Sequence, residues 1–177
     1  VATVLRAIDP SPDVVVLVEV EQATLVDRLF DDYLVDLPVP YRCFVRGPDG
    51  ATGVAVASRY PIRDARPLLA RAGAVPPLRP VLETRVTLPQ TDLVVFANHW
   101  KSKRGSAAAT EPLRRAAARL VFSRVRALLS AEPGLPIVVA GDLNEQGTEL
   151  SGVEGTYPTA LVEEPMLDRW DAARAAG

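Results

Sequence analysis

Residues 135–144 read Leu135-Pro136-Ile137-Val138-Val139-Ala140-Gly141-Asp142-Leu143-Asn144, an apolar run that stops at two polar side chains. The run is short and β-branched, which predicts a buried strand. Because strand side chains alternate, we expect Asp142 and Asn144 to face one way and Leu143 to face the core. Gly-Asp and Asn are also ordinary turn residues. A carboxylate beside an amide on a sheet rim can nevertheless bind a cation and a phosphate oxygen, which indicates phosphoester chemistry.

A second polar group lies at the end of the β-branched run 13–20, which predicts a strand buried on both faces. Glu19 is flanked there by Val18 and Val20. A carboxylate among apolar neighbours is costly unless it is paired or metal-bound, and a hard cation such as Mg²⁺ would relieve that cost. An exposed edge charge is the alternative interpretation of Glu19 taken alone. Strand ends are common site rims in α/β sheets, which favours the functional interpretation.

The third strand end is followed by a basic loop. Residues 98–105 read Asn98-His99-Trp100-Lys101-Ser102-Lys103-Arg104-Gly105, and His99 is the only histidine of the chain. A lone histidine is often structural, but an imidazole, an amide and several cations together can cradle an anion. We predict phosphate contacts for His99, Lys101 and Asn98. Lys103 and Arg104 are interpreted as solvated charges.

The remaining pattern alternates between hairpins and helices. Two hairpins are predicted, over 41–60 and 81–100, and residues 66–80 are interpreted as an exposed excursion. A helix is predicted at the first eight residues, ending before Asp9-Pro10. A second helix has the apolar face Leu25, Leu29 and Tyr33.

A longer helix is predicted from Thr110 as its cap, with Pro112 in the first turn. Its apolar face comprises Leu113, Ala117, Leu120, Val121, Val125 and Leu128. Hairpins mixed with helix-to-strand crossovers favour α/β layers over a pure β-sandwich.

Composition sets the class of protein. The chain has 177 residues, of which 48% are hydrophobic and 24% charged, and its net charge is −2. These values predict one soluble globular domain over 1–177 and no global basic field for nucleic acid. No apolar run is long enough to span a bilayer, no signal segment is evident, and the compartment stays open. The single Cys43 excludes an intrachain disulfide.

Four motifs in order resemble the endonuclease/exonuclease/phosphatase superfamily, whose members include deoxyribonucleases, abasic-site endonucleases, sphingomyelinases and inositol-polyphosphate phosphatases. The motifs are Val16-Leu17-Val18-Glu19-Val20, Ser58-Arg59-Tyr60-Pro61-Ile62, Asn98-His99-Trp100-Lys101-Ser102-Lys103 and Gly141-Asp142-Leu143-Asn144. The resemblance implies an α/β four-layer sandwich, in which two mostly antiparallel sheets are flanked by helices.

The resemblance also implies roles for individual residues. Glu19 matches the metal-binding glutamate, and His99 matches the histidine that contacts the scissile phosphate. Asp142 matches the aspartate that binds the metal and orients the nucleophile, with Asn144 as its partner. The implied reaction is attack of water on a phosphoester with Mg²⁺ as cofactor, Mn²⁺ and Ca²⁺ being alternatives, and Lys101 would supplement the positive charge. Nucleic acid is one candidate substrate.

Two departures from the family pattern lead us to expect a partial domain, incomplete at both termini. No strand with an asparagine precedes the first helix, and no Asp-His pair follows residues 166–171. Because that histidine is a main candidate for the general base, we expect weak or no turnover by this chain. The alternatives are a catalytically inactive binding module and a hydrolase of lipid or sugar phosphates.

Overall fold

The computed structural model describes residues 1–47, 50, 52–70 and 79–145. Its elements, in chain order, are α1 (Ala2–Arg6), β1 (Val14–Val20), α2 (Ala23–Arg28), which continues into a π-helical turn (Leu29–Tyr33), β2 (Tyr41–Arg46), β3 (Gly53–Ser58), β4 (Ile62–Leu68), β5 (Val81–Thr87), β6 (Asp92–His99), α3 (Ala107–Ala131) and β7 (Ile137–Asp142). No helix among these is long and apolar enough to cross a membrane.

The strands form two sheets, as predicted. The first has the order β1-β3-β2 and is antiparallel. The second has the order β4-β5-β6-β7, in which only β7 is parallel to its neighbour. Alternate side chains of β3, β5 and β6 fill the space between the sheets, including Val56, Val86 and Val95. The predicted α/β architecture is therefore confirmed.

Helices cover the outer faces of both sheets. Val15 of β1 packs under Leu5 of α1 and Val26 of α2, and Phe96 of β6 packs under Val121 of α3. Because parallel strands need a crossover connection, α3 carries the chain from the end of β6 to the start of β7. This crossover places the ends of β6 and β7 side by side.

The apolar face predicted for the second helix is wrong by one residue. Leu25 and Tyr33 are 43% and 55% exposed, whereas Val26, Phe30 and Leu34 are buried. Two apolar stripes run side by side in this segment, so periodicity alone does not choose between them. The buried stripe contains Phe30. The guanidinium carbon of Arg42 lies over the Phe30 ring, 5.2 Å from the ring centroid.

Both hairpins are confirmed, but the predicted excursion at 66–80 begins too early. The chain stays in β4 as far as Leu68, with Arg66 opposite Glu83 of β5. Pro67 is accommodated because β4 is an edge of its sheet within the described part of the chain. Residues 71–78 and 166–171 lie outside the described residues.

The long helix begins earlier than predicted. Ser106 is the N-cap, and its hydroxyl accepts a hydrogen bond from the backbone N–H of Ala109 at 3.2 Å. Thr110 instead lies inside the helix, where its hydroxyl donates to the carbonyl of Ser106 at 2.9 Å. The predicted apolar face is largely confirmed, since Ala117 and Val121 are among its buried residues.

Candidate active site

Three strand ends meet at one rim of the space between the sheets. His99 at the end of β6 is in register with Asp142 at the end of β7. In-register neighbours project to the same face, here that of Val95 and Ala97. Glu19 reaches this rim from the opposite sheet, with its Oε1 3.7 Å from His99 Nε2. The structure thus brings together Glu19, His99 and Asp142, which sequence analysis placed on three separate strands.

Glu19 owes its position to a β-bulge. Val18 pairs with Val54 and Val20 with the adjacent Gly53, which leaves Glu19 as the extra residue. Its φ angle of 60° is in the left-handed region, and its side chain is 71% exposed. The predicted burial of Glu19 is therefore wrong, because the bulge turns the carboxylate towards solvent and His99.

Asp142 and Asn144 form a tight turn after β7. Asp142 Oδ1 accepts a hydrogen bond from the backbone N–H of Asn144 at 2.8 Å, and Asn144 has a φ of 53°. The expected alternation through Asn144 is wrong, because β7 ends at Asp142. Leu143 does pack inwards, against the cluster around Trp100. The strand itself is less buried than predicted, since Val138 is 45% exposed.

Trp100 connects the two loops that carry the site. Its backbone N–H donates to the carbonyl of Asp142 at 2.8 Å, and its own carbonyl accepts from Asn144 Nδ2 at 3.0 Å. These bonds extend the contact between β6 and β7 beyond the end of the ladder. Asn144 is therefore held against the backbone that follows His99.

Asn98 does not reach the rim. It is fully buried on the α3 side of the sheet, where its Nδ2 donates to the carbonyls of Phe96 at 2.8 Å and Ala140 at 3.2 Å. Its Oδ1 accepts from the indole N–H of Trp100 at 2.9 Å. This geometry contradicts the phosphate contact predicted for Asn98, because both amide protons are used within the protein.

Arg79 lies at the site, although the sequence favoured an ordinary surface charge for this residue of the 66–80 excursion, with contact to a polyanion as the alternative. Its Nη1 lies 2.6 Å from His99 Nε2, and His99 is only 5% exposed. Since an arginine only donates, Nε2 is the acceptor in this contact. The hairpin register could have found this contact. Leu82 pairs with Ala97, so continuing the register places Arg79 beside Trp100.

The basic loop divides into two parts. Lys101 is exposed and lines a small pocket with Arg79 and His99. Lys103 is not the predicted solvated charge: its side chain is 24% exposed and its Nζ lies 3.2 Å from Glu145 Oε2. Only Lys101 of these two lysines is therefore positioned to contact a ligand at the rim.

The donor chemistry of the rim fits a hard divalent cation. Glu19 and Asp142 are both exposed, as a site open to substrate requires. Mg²⁺ commonly takes one or two carboxylates and fills its remaining positions with water and substrate oxygens. No group of three or more His, Cys, Asp or Glu side chains close enough to hold a metal occurs within the described residues. Glu19 and Asp142 are the two carboxylates of the rim that could take part in holding such an ion.

Comparisons with known proteins support this fold. Residues 1–161 match the model of the Endonuclease/Exonuclease/phosphatase family. Truncated TDP2 from Caenorhabditis elegans is similar at 18% identity and a TM-score of 0.63, over 87% of this chain and 57% of that one. The human Nocturnin catalytic domain with bound sulfate has 18% identity and a TM-score of 0.56, over 77% and 53%.

A β-hairpin deletion mutant of beta toxin from Staphylococcus aureus has 21% identity and a TM-score of 0.59, over 82% of this chain and 56% of that one. No curated protein matches significantly. The chain spans about half the length of these solved structures, and at such identities their likeness shows the fold alone. With nine-tenths of its sequence matched by the family model, the chain belongs to the endonuclease/exonuclease/phosphatase family.

Proposed function

We propose that this chain carries the active site of a Mg²⁺-dependent phosphodiesterase or nuclease. The observation that carries the proposal is the convergence of Glu19 from one sheet with His99 and Asp142 from the other. Two carboxylates beside an imidazole and two cations, Arg79 and Lys101, make a rim that can bind a metal and a phosphate together.

Glu19 and Asp142 would hold the metal. When bound, Mg²⁺, or Mn²⁺ or Ca²⁺ in its place, would neutralise negative charge on the phosphate and on the leaving oxygen. Asp142 has one carboxylate oxygen engaged by the Asn144 N–H, which fixes the carboxylate plane. Its other oxygen would accept a hydrogen bond from the attacking water and orient that water. Asn144 would keep Asp142 in this orientation.

The phosphate would be bound by His99, Arg79 and Lys101. A phosphate oxygen at the rim would replace His99 Nε2 as the acceptor of the Arg79 N–H, since a charged acceptor binds guanidinium more strongly. Nucleic acid, lipid phosphate and sugar phosphate all present the same group.

A second candidate, a catalytically inactive binding module, is favoured by one observation. Arg79 and Lys101 place two cations beside His99, which is sufficient to hold a phosphate whether or not it is cleaved. Such a module would bind the phosphate at the same rim without cleaving it.

Hydrolysis assays with matched variants separate these candidates. We expect weak Mg²⁺-dependent cleavage of plasmid DNA or of bis(p-nitrophenyl) phosphate, with kcat/KM lowered about 100-fold or more by His99→Ala, Glu19→Gln or Asp142→Asn. Glu132→Gln is the matched control, because Glu132 pairs with Arg85 away from the rim. Phosphate binding without turnover would favour the module. Hydrolysis unaffected by these variants would refute the proposed site.

A further inference from the structure

A buried arginine lies directly behind the rim. Arg114 of α3 has a fully buried side chain, and its guanidinium makes five hydrogen bonds. Their acceptors are Glu145 Oε1 at 2.8 Å, the carbonyl of Lys101 at 3.1 Å, Thr110 Oγ1 at 2.8 Å, the carbonyl of Ala107 at 3.2 Å and Glu111 Oε2 at 2.8 Å. An arginine has five N–H groups, so every donor of Arg114 is used.

The acceptors belong to three separate segments. Ala107, Thr110 and Glu111 lie in the first turns of α3, Lys101 in the loop after β6, and Glu145 in the loop after β7. The two loops are the ones that carry Lys101 and the Asp142-to-Asn144 turn. The planar guanidinium of Arg114 therefore holds both of these loops, the site loops, against α3.

The surrounding charges are compensated. The side chain of Glu145 is 3% exposed, and it lies 3.2 Å from Lys103 Nζ and 2.8 Å from Arg114 Nε. Glu111 also pairs with Arg115. Buried ion pairs stabilise a fold little in comparison with well-packed apolar residues of the same size. A role in fixing geometry explains the cluster better than a role in stability, because it occurs where two functional loops meet.

We propose that Arg114, acting through Glu145 and the Lys101 carbonyl, is a positioning residue that keeps Asp142, Asn144 and Lys101 in reactive geometry. The inference rests on the proposed function for its catalytic consequence. Its structural consequence, the ordering of the two loops, is independent of turnover. A displacement of about 1 Å at a reacting group can reduce the rate about 100-fold.

The test compares Arg114→Lys and Glu145→Gln with Arg124→Lys. Lysine keeps the charge but loses the planar fork, and glutamine keeps the shape of Glu145 but loses its charge. Arg124 is the matched control, because it lies on the same helix and also donates twice to a buried carboxylate, that of Glu83. Glu83 lies in the middle of β5, away from the site loops.

Two measurements on the full chain decide the outcome. We expect Arg114→Lys and Glu145→Gln to speed amide hydrogen exchange in the loop containing Asn144 about tenfold under native conditions, whereas Arg124→Lys leaves it unchanged. With Mg²⁺ and bis(p-nitrophenyl) phosphate, kcat should fall about 10- to 100-fold with little change in KM. If the wild-type chain binds phosphate without turning over, the binding module is favoured over the hydrolase, and hydrogen exchange alone decides the positioning role.

The proposal is overturned if both variants show wild-type exchange and wild-type kcat. It is also overturned if Arg124→Lys produces the same loop exchange and loss of kcat, because the effect would then be general loss of stability. If Arg114→Lys does not fold, loop hydrogen exchange and kcat of the Glu145→Gln variant alone test the proposal.

Discussion

Gly141 immediately precedes Asp142, and replacing it with alanine tests whether the site depends on close backbone approach. Its φ is +117°, a conformation that residues with a Cβ rarely adopt. A Cβ at this position would lie 2.0 Å from the carbonyl oxygen of Asn98, and 2.9 Å from the carbonyl carbon and the amide nitrogen of that residue. All three atoms are backbone atoms of the central strand β6, which cannot rotate away.

Two costs combine in the Gly141→Ala variant. The left-handed conformation costs a Cβ-bearing residue about 1–2 kcal/mol. Overpacking against a fixed neighbour costs about 1–3 kcal/mol more. We therefore expect the free energy of unfolding to fall by about 2–5 kcal/mol, a large part of the 5–15 kcal/mol typical of a domain. Urea unfolding followed by far-UV circular dichroism measures this change.

Gly134→Ala provides the matched control. Gly134 has a similar φ of +88°, but a Cβ there would have no heavy atom within 4 Å. The free energy of unfolding of this variant should fall only by the cost of the left-handed conformation, about 1–2 kcal/mol. The difference between the two variants isolates the contact with Asn98. If Gly141→Ala were no more destabilising than Gly134→Ala, the close approach of β7 to β6 at the rim would be refuted.

Three further predictions concern the rest of the fold. Burial would raise the pKa of Glu83, but hydrogen bonds from Arg124 and Arg66 hold this pKa below its ordinary value. The ionised carboxylate therefore stabilises the fold at neutral pH, and this stabilisation is lost as the pH falls through the folded-state pKa. The difference in unfolding free energy between wild type and Glu83→Gln should shrink from pH 7 to pH 3 in urea titrations. Phe30→Ala should cost about 3–5 kcal/mol and Leu25→Ala less than about 0.5 kcal/mol in the same assay, and equal costs would contradict the buried stripe. Burial raises the pKa of the Cys43 thiol to about 11, so iodoacetamide at pH 8 should modify it far more slowly in the native than in the urea-unfolded protein.

Sequence patterns predicted the features that depend on the order of neighbouring residues along the chain. The β-branched runs predicted the strands, and the terminal polar groups predicted that Glu19, His99 and Asp142 belong to one site. The patterns could not show where the ladder is irregular. The bulge at Glu19 depends on its pairing with β3, and the left-handed turn at Asn144 depends on Trp100 in the neighbouring loop. Arg79 required the register of a hairpin, which no single strand pattern contains.

Strained backbone conformations occur at the candidate site. Among the described residues, Glu19 and Asn144 are the only residues other than glycine with a positive φ, and both are candidate site residues. Such conformations persist only where the surrounding structure holds them, and they concentrate at functional sites. Glu19 is held by a bulge in one sheet, and Asn144 by its hydrogen bonds to Trp100 and Asp142. Because regular strands would keep both side chains in the alternation of their sheets, the bulge and the turn release Glu19 and Asn144 from that alternation.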